Sequence, residues 1–263
     1  MNRIDTTFDA CRADGRKALV MFVSAGDPNL AVTETLIREI CANGADVVEL
    51  GVPFSDPMAD GPTIQAASQR ALAAGATLSG ILDMVRRLRE TIDTPFVLFS
   101  YYNVLFSYGM AKLARDAAEA GVDGMLVVDV PFEEMGEIRP DLERNQLHLI
   151  SLLAPTTPPE RAKRILAQAE GFVYYITVTG VTGARSELPE NLAEELAQIV
   201  AVSTVPVVAG FGISSPEMAQ SVAAHADGVV VGSALVKRLN AAETIEAGIA
   251  DCAQFVASLA ESL

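Results

Sequence analysis

The chain has 263 residues, half of them hydrophobic, and 34 acidic against 19 basic side chains leave a formal charge of −15. That much apolar material excludes global disorder and can fill a sizeable core, and a length near 250 residues suits one α/β barrel. The negative excess argues against nucleic acid or an anionic membrane as partner. A small anionic ligand stays allowed, because helix N-termini make a site locally positive.

The amino end, Met1-Asn2-Arg3-Ile4-Asp5, has no apolar run behind its basic residue, so no signal peptide is expected. An amphipathic opener over residues 4–13 follows and is placed as a plug at the barrel's bottom. Eight short runs rich in Val, Leu and Phe come next, at 18–25, 47–51, 96–100, 124–128, 148–153, 172–177, 206–209 and 228–231. Near-continuous apolar character marks strands buried on both faces, as in parallel sheets. Amphipathic segments at 31–43, 78–91, 111–120, 133–145, 159–168, 192–201 and 216–224 separate them, and a last helix is expected over 242–262. Gly44, Gly121 and Gly171 sit just past helix ends, where a left-handed cap is wanted.

This alternation, with no linker or low-complexity tract, predicts one (β/α)8 barrel domain over 1–263, with an extra N-terminal helix and long loops after strands two and six. An open doubly wound sheet is disfavoured, since Ala25-Gly26-Asp27-Pro28 rather than a GxGxxG follows the first strand. No run approaches 18 apolar residues, so no membrane span is expected and the chain reads as soluble and cytoplasmic. Cys11, Cys41 and Cys252 are too scattered for a disulfide framework or a zinc site.

Chemistry in such a barrel lies at the carboxyl ends of the strands. Gly210-Phe211-Gly212 follows strand seven, and Gly232-Ser233 follows strand eight and opens a short helix. Glycines let backbone N–H groups approach an anion, and the helix dipole adds to the attraction, so these turns predict a phosphate cradle. Gly180-Val181-Thr182-Gly183 after strand six could close over the same oxygens.

Glu49 lies inside the apolar strand Val47-Val48-Glu49-Leu50-Gly51, where burial should raise its pKa and ready it for proton transfer. Asp60 ends the following Pro-rich loop and could reach the same pocket or serve only as a turn residue. Phe22, Tyr101, Tyr174 and Phe211 at the same rim suit a flat apolar substrate body.

None of Lys17, Lys112, Lys163 and Lys237 falls at a strand's carboxyl end, so a Schiff-base mechanism has no nucleophile. His148 and His225 are too few for a metal site, and His148, starting a strand, is assigned a structural place at the bottom. Carboxylate acid–base chemistry on a phosphorylated ligand remains.

The residues resemble the tryptophan synthase alpha chain family, essentially end to end. The match is densest from Glu49 to Gln65 and recurs in Ala25-Gly26-Asp27-Pro28, Tyr101-Tyr102-Asn103, Asp129-Val130-Pro131, Gly180 to Gly183, Gly210 to Ser214 and Gly232-Ser233-Ala234. The resemblance implies cleavage of indole-3-glycerol phosphate to indole and glyceraldehyde 3-phosphate. It implies that Glu49 shuttles the proton at indole C3, that Asp60 acts at the indole nitrogen and that Tyr174 lines the indole pocket. Gly183, Gly212, Gly232 and Ser233 would hold the phosphate, and Thr182 would come within reach of Asp60.

It further implies a β-chain partner in an αββα complex. That partner would carry the pyridoxal phosphate and face segments 53–57, 129–132 and 155–158, and this chain would need no cofactor of its own. One departure is Val178, where family members often carry a basic residue; Arg185 is near enough in the loop to substitute. Two alternatives are a stand-alone lyase with the same site and a catalytically silent regulatory subunit.

Overall fold

The strands expected from the apolar runs are all present in a computed structural model, which describes residues 2–176, 191–210 and 212–263. They are β1 Ala18–Ser24, β2 Val47–Gly51, β3 Phe96–Ser100, β4 Gly124–Val127, β5 His148–Leu149, β6 Ser151–Leu153, β7 Val173–Ile176, β8 Val207–Gly210 and β9 Gly228–Val231. The fifth expected strand is interrupted at Ile150 and gives both β5 and β6. The sheet order is β5-β4-β3-β2-β1-β9-β8-β7-β6, with every pairing parallel.

Its two ends are therefore the halves of one strand. β5 pairs β4, the Ile150 N–H still donates to the Met125 carbonyl at 2.8 Å, and β6 turns to pair β7. A change of partner along one strand brings the sheet round to a nearly closed barrel.

Twelve helices lie among the described residues: α1 Arg3–Ala13, α2 Leu30–Ala42, α3 Pro62–Ala73, α4 Leu78–Arg89, α5 Tyr102–Tyr108, α6 Met110–Ala120, α7 Arg139–Arg144, α8 Pro159–Leu166, α9 Leu192–Val200, α10 Pro216–Ala223, α11 Ser233–Ala241 and α12 Ile245–Glu261. Asn29, Thr77, Ser215 and Thr244 cap the N-termini of α2, α4, α10 and α12 through their side-chain oxygens. Gly44, Gly121 and Gly171 all take positive φ, as expected just past helix ends.

The continuous helix expected over 133–145 is instead a 3₁₀ turn, Phe132–Glu137, followed by α7. Pro140 has no N–H for an interior helical bond and its ring would meet a preceding carbonyl, so the helix restarts with proline in its first turn. α5 lies where only a strand-end rim was expected.

Side chains alternate across the pleat. Val20 and Phe22, Val47, Val97, Leu126, Phe172 and Tyr174, Val208 and Val230 form the barrel interior, whereas Leu19, Met21, Val48, Leu50 and Leu98 pack outward under the helices. Ile4 and Phe8 of α1 join the interior cluster, with the Phe8 and Phe172 ring centroids 5.6 Å apart. α1 is thus the expected plug.

The bottom is fastened by charge as well. Buried Asp123 accepts from Arg3 Nη1 at 2.9 Å, from Arg89 Nη2 and from the Phe96 N–H at 2.8 Å. His148 meets Asp5 of α1 at 2.9 Å, the structural place assigned to it from sequence. Function is therefore left to the opposite rim.

Candidate active site

β2 carries Glu49 inward because residues 47, 49 and 51 share a face, and its register partners are Phe22 on β1 and Val97 on β3. Glu49 is 0 % exposed, and neither carboxyl oxygen has a hydrogen-bond partner among the described residues. An ionised carboxylate without a donor in apolar surroundings is heavily penalised. Burial accordingly pushes the Glu49 carboxyl up from the usual 4.5 to about 8. At neutral pH it holds its proton.

Asp60 arrives from the loop between β2 and α3 and is also buried. Burial pushes its carboxyl up to about 6, and a hydrogen bond from the Tyr101 hydroxyl at 3.1 Å pulls the other way. The loop is pinned beside it: Gln65 Nε2 donates to the Asp60 carbonyl at 2.8 Å, and the Phe54 N–H donates to Ser68 Oγ at 3.2 Å. Two carboxyls thus border one cavity in different environments, a pattern that separates a proton donor from a proton acceptor.

That cavity is lined by Phe22, Glu49, Asp60, Ile64, Phe99, Tyr174, Gly212, Val230, Gly232 and Ser233. Its apolar wall includes Phe22 and Phe99 packed edge to face at 5.2 Å, and Tyr174, whose phenol burial and the nearby Glu49 and Asp60 keep protonated. Small residues make room for these rings. A Cβ on Gly51 would stand 2.3 Å from Phe22 Cζ, and one on Gly210 would stand 2.5 Å from the Tyr174 hydroxyl.

Across the cavity, Gly232 precedes α11 and Ser233 begins it, so the helix's free N–H groups border the same space. Gly212 holds φ +85°, a conformation that favours glycine. The geometry offers a protonated carboxyl, a second carboxyl with a lower pKa, an apolar slot and the N-terminus of α11 around one volume.

Of the residues singled out from sequence, Phe22, Glu49, Asp60, Tyr174, Gly212, Gly232 and Ser233 meet in this cavity. Tyr101 does not line it; it is bonded to Asp60 instead. Thr182, Gly183 and Phe211, with Val178 and Arg185, lie outside the described residues. Ile64, Phe99 and Val230 were not foreseen. Strict alternation from Val97 and from Gly232 would have turned Phe99 and Val230 inward, while Ile64 depends on where α3 lies across the rim.

No group of three or more His, Cys, Asp and Glu among the described residues could hold a metal ion, and no described helix is long and apolar enough to cross a membrane.

The family model described as tryptophan synthase alpha chain matches residues 8–263. The tryptophan synthase alpha chain of Geobacter sulfurreducens is 53% identical over 263 residues, covering 100% of this chain and 99% of that one. That of Caldanaerobacter subterraneus is 45% identical over 263 residues, covering 100% of both. Among solved structures, tryptophan synthase subunit alpha from Legionella pneumophila superposes with a TM-score of 0.92 at 40% identity, covering 100% of this chain and 98% of that one. A chain of Mycobacterium tuberculosis tryptophan synthase gives 0.91 at 34%, covering 99% and 98%.

Proposed function

The chain belongs to the tryptophan synthase alpha chain family, a lyase subunit that cleaves indole-3-glycerol phosphate. From that premise we propose how its own residues carry the reaction. The phosphate is held by the N–H groups at Gly212, Gly232 and Ser233, and the indole ring lies in the slot between Phe22, Phe99 and Tyr174. Glu49, protonated at neutral pH, gives its proton to indole C3, and Asp60 as carboxylate accepts the hydrogen bond of the indole N–H as that group becomes acidic.

The Glu49 carboxylate so formed takes the proton of the hydroxyl on the adjoining side-chain carbon. That carbon becomes the aldehyde of glyceraldehyde 3-phosphate. The electron pair of the broken C–C bond returns to the ring, releasing indole and leaving Glu49 protonated again. Thr182 and Gly183 complete the substrate contacts in this reading, and Phe211 the apolar wall.

The observation that carries this reading is the unpartnered, fully buried Glu49 carboxyl bordering the same cavity as Asp60 and the N-terminus of α11. These steps move protons only between Glu49 and the substrate; pyridoxal phosphate belongs to the β chain in this reading. Segments 53–57, 129–132 and 155–158 face that partner in an αββα complex in the cytoplasm.

Steady-state indole release from indole-3-glycerol phosphate, with and without a β chain, tests the proposal. Turnover stimulated by the β chain is the expected result. Full activity alone would favour an independent lyase, and no turnover in either case would favour a silent regulatory subunit.

A further inference from the structure

Tyr101, at the end of β3, is 3 % exposed and its hydroxyl is used twice. It accepts the Ala59 N–H at 3.0 Å and donates to Asp60 Oδ2 at 3.1 Å. A phenol has one proton to give, so with Ala59 on its oxygen that proton is committed to Asp60. Burial and the nearby Asp60 push the phenol up, keeping it a donor throughout the working pH range. The ring is fixed too: Phe54, on the other arm of the loop, packs 5.1 Å from it, centroid to centroid. Tyr101 therefore grips the loop at both arms and touches the carboxylate directly.

We propose that Tyr101 is the positioning residue of the reaction: by bridging the Ala59 amide and the Asp60 carboxylate, it aims Asp60 and holds it in the ionised, hydrogen-bond-accepting form. This rests on the role given to Asp60 above. A donor aimed at a carboxylate favours the charged form, because its hydrogen bond to the ionised oxygen is stronger than one to the carbonyl oxygen of a neutral carboxyl. Burial alone would leave the carboxyl protonated further into the neutral range, where it could not accept from the indole N–H. The same bridge fixes the carboxyl in space, and orientation of a reacting group governs the chemical step more than ground-state binding.

The test compares wild type, Tyr101→Phe and Asp60→Asn in the full chain, with kcat, KM and the pH profile of kcat/KM measured for indole release. For Tyr101→Phe, kcat is expected to fall about tenfold or more with KM changed less than about threefold, since only the transition-state interaction is lost. The acidic limb should move up from about 6 by roughly one pH unit, the size of one charge-assisted hydrogen bond. Calorimetric binding of glycerol 3-phosphate should be unchanged, which separates positioning from general damage to the site.

Site-specific replacement of Tyr101 with 3-fluorotyrosine gives a stronger donor of nearly the same shape, and the limb should then move down. An unmoved acidic limb in both Tyr101 variants, or a loss confined to KM, overturns the proposal while leaving Asp60 in place. Full turnover in Asp60→Asn instead overturns the role of Asp60, and Tyr101's role with it.

Discussion

Replacing Glu49 with Gln should change how stability depends on pH, by an amount the structure sets. The carboxyl titrates near 4.5 when the chain is unfolded and near 8 in the barrel. A carboxyl whose folded pKa is raised costs nothing below the unfolded value. Its cost then grows with pH until the folded value is reached, because the unfolded chain releases a proton that the native state must keep. Each pH unit in that span is worth about 1.4 kcal/mol.

Between pH 5 and 8 wild type should therefore lose about 3–4 kcal/mol relative to Glu49→Gln. Gln carries a fixed offset of its own from its unpartnered amide, but that offset does not titrate, and groups such as His148 and Glu170 titrate alike in both proteins and cancel. Urea unfolding of both at pH 5, 6, 7 and 8 reads the difference directly. Curves that stay parallel within about 1 kcal/mol would refute a neutral buried Glu49 and the proton-donor role built on it.

Three further outcomes follow from other parts of the molecule. The pH profile of kcat/KM should be bell-shaped, rising through about 6 as Asp60 ionises and falling through about 8 as Glu49 loses its proton; a profile flat from pH 5 to 9 would separate the two carboxyls from the chemistry. Gly51→Ala puts a Cβ where Phe22 Cζ lies 2.3 Å away, so thermal unfolding should show a loss of about 1–3 kcal/mol and KM should rise as Phe22 is driven into the slot; combining it with Phe22→Leu should restore stability but not KM. Asp123→Ala leaves Arg89 largely buried without its carboxylate and should cost about 3–5 kcal/mol in urea unfolding, with KM unchanged because the site is at the other end of the barrel.

Near-continuous apolar runs are what strands buried on both faces look like, so β1 to β4 and β7 to β9 fall within about one residue of their sequence-read positions. The break at Ile150 was hidden because closure, a global event, makes one strand change partners there. Pro140 did signal the end of a helix, but the amphipathic pattern across 133–145 masked it. α5 has only seven residues, with two tyrosines and a phenylalanine, and its first amide donates to Asp129 Oδ1 at 2.7 Å. That distant contact, not local propensity, sets its start.

At the site, Glu49 was legible because a charge in an apolar strand has few innocent explanations. Asp60 read equally well as a turn residue, and its place at the cavity depends on a loop that Tyr101, Gln65 and Ser68 hold from three other positions. Tyr101 looked like one more rim aromatic; what its hydroxyl meets depends on how that loop folds back over β3. Gly51 was unremarkable in sequence and Gly210 was read only as part of the phosphate turn; the room they leave for the Phe22 and Tyr174 rings shows only once those rings are in place.

The most direct measurement is turnover of indole-3-glycerol phosphate by Glu49→Gln, with glycerol 3-phosphate binding measured on the same preparation. Loss of the proton shuttle should lower kcat between about 10²- and 10⁴-fold while the phosphate ligand still binds at the Gly232–Ser233 turn. Turnover within twofold of wild type, with binding intact, would contradict the account.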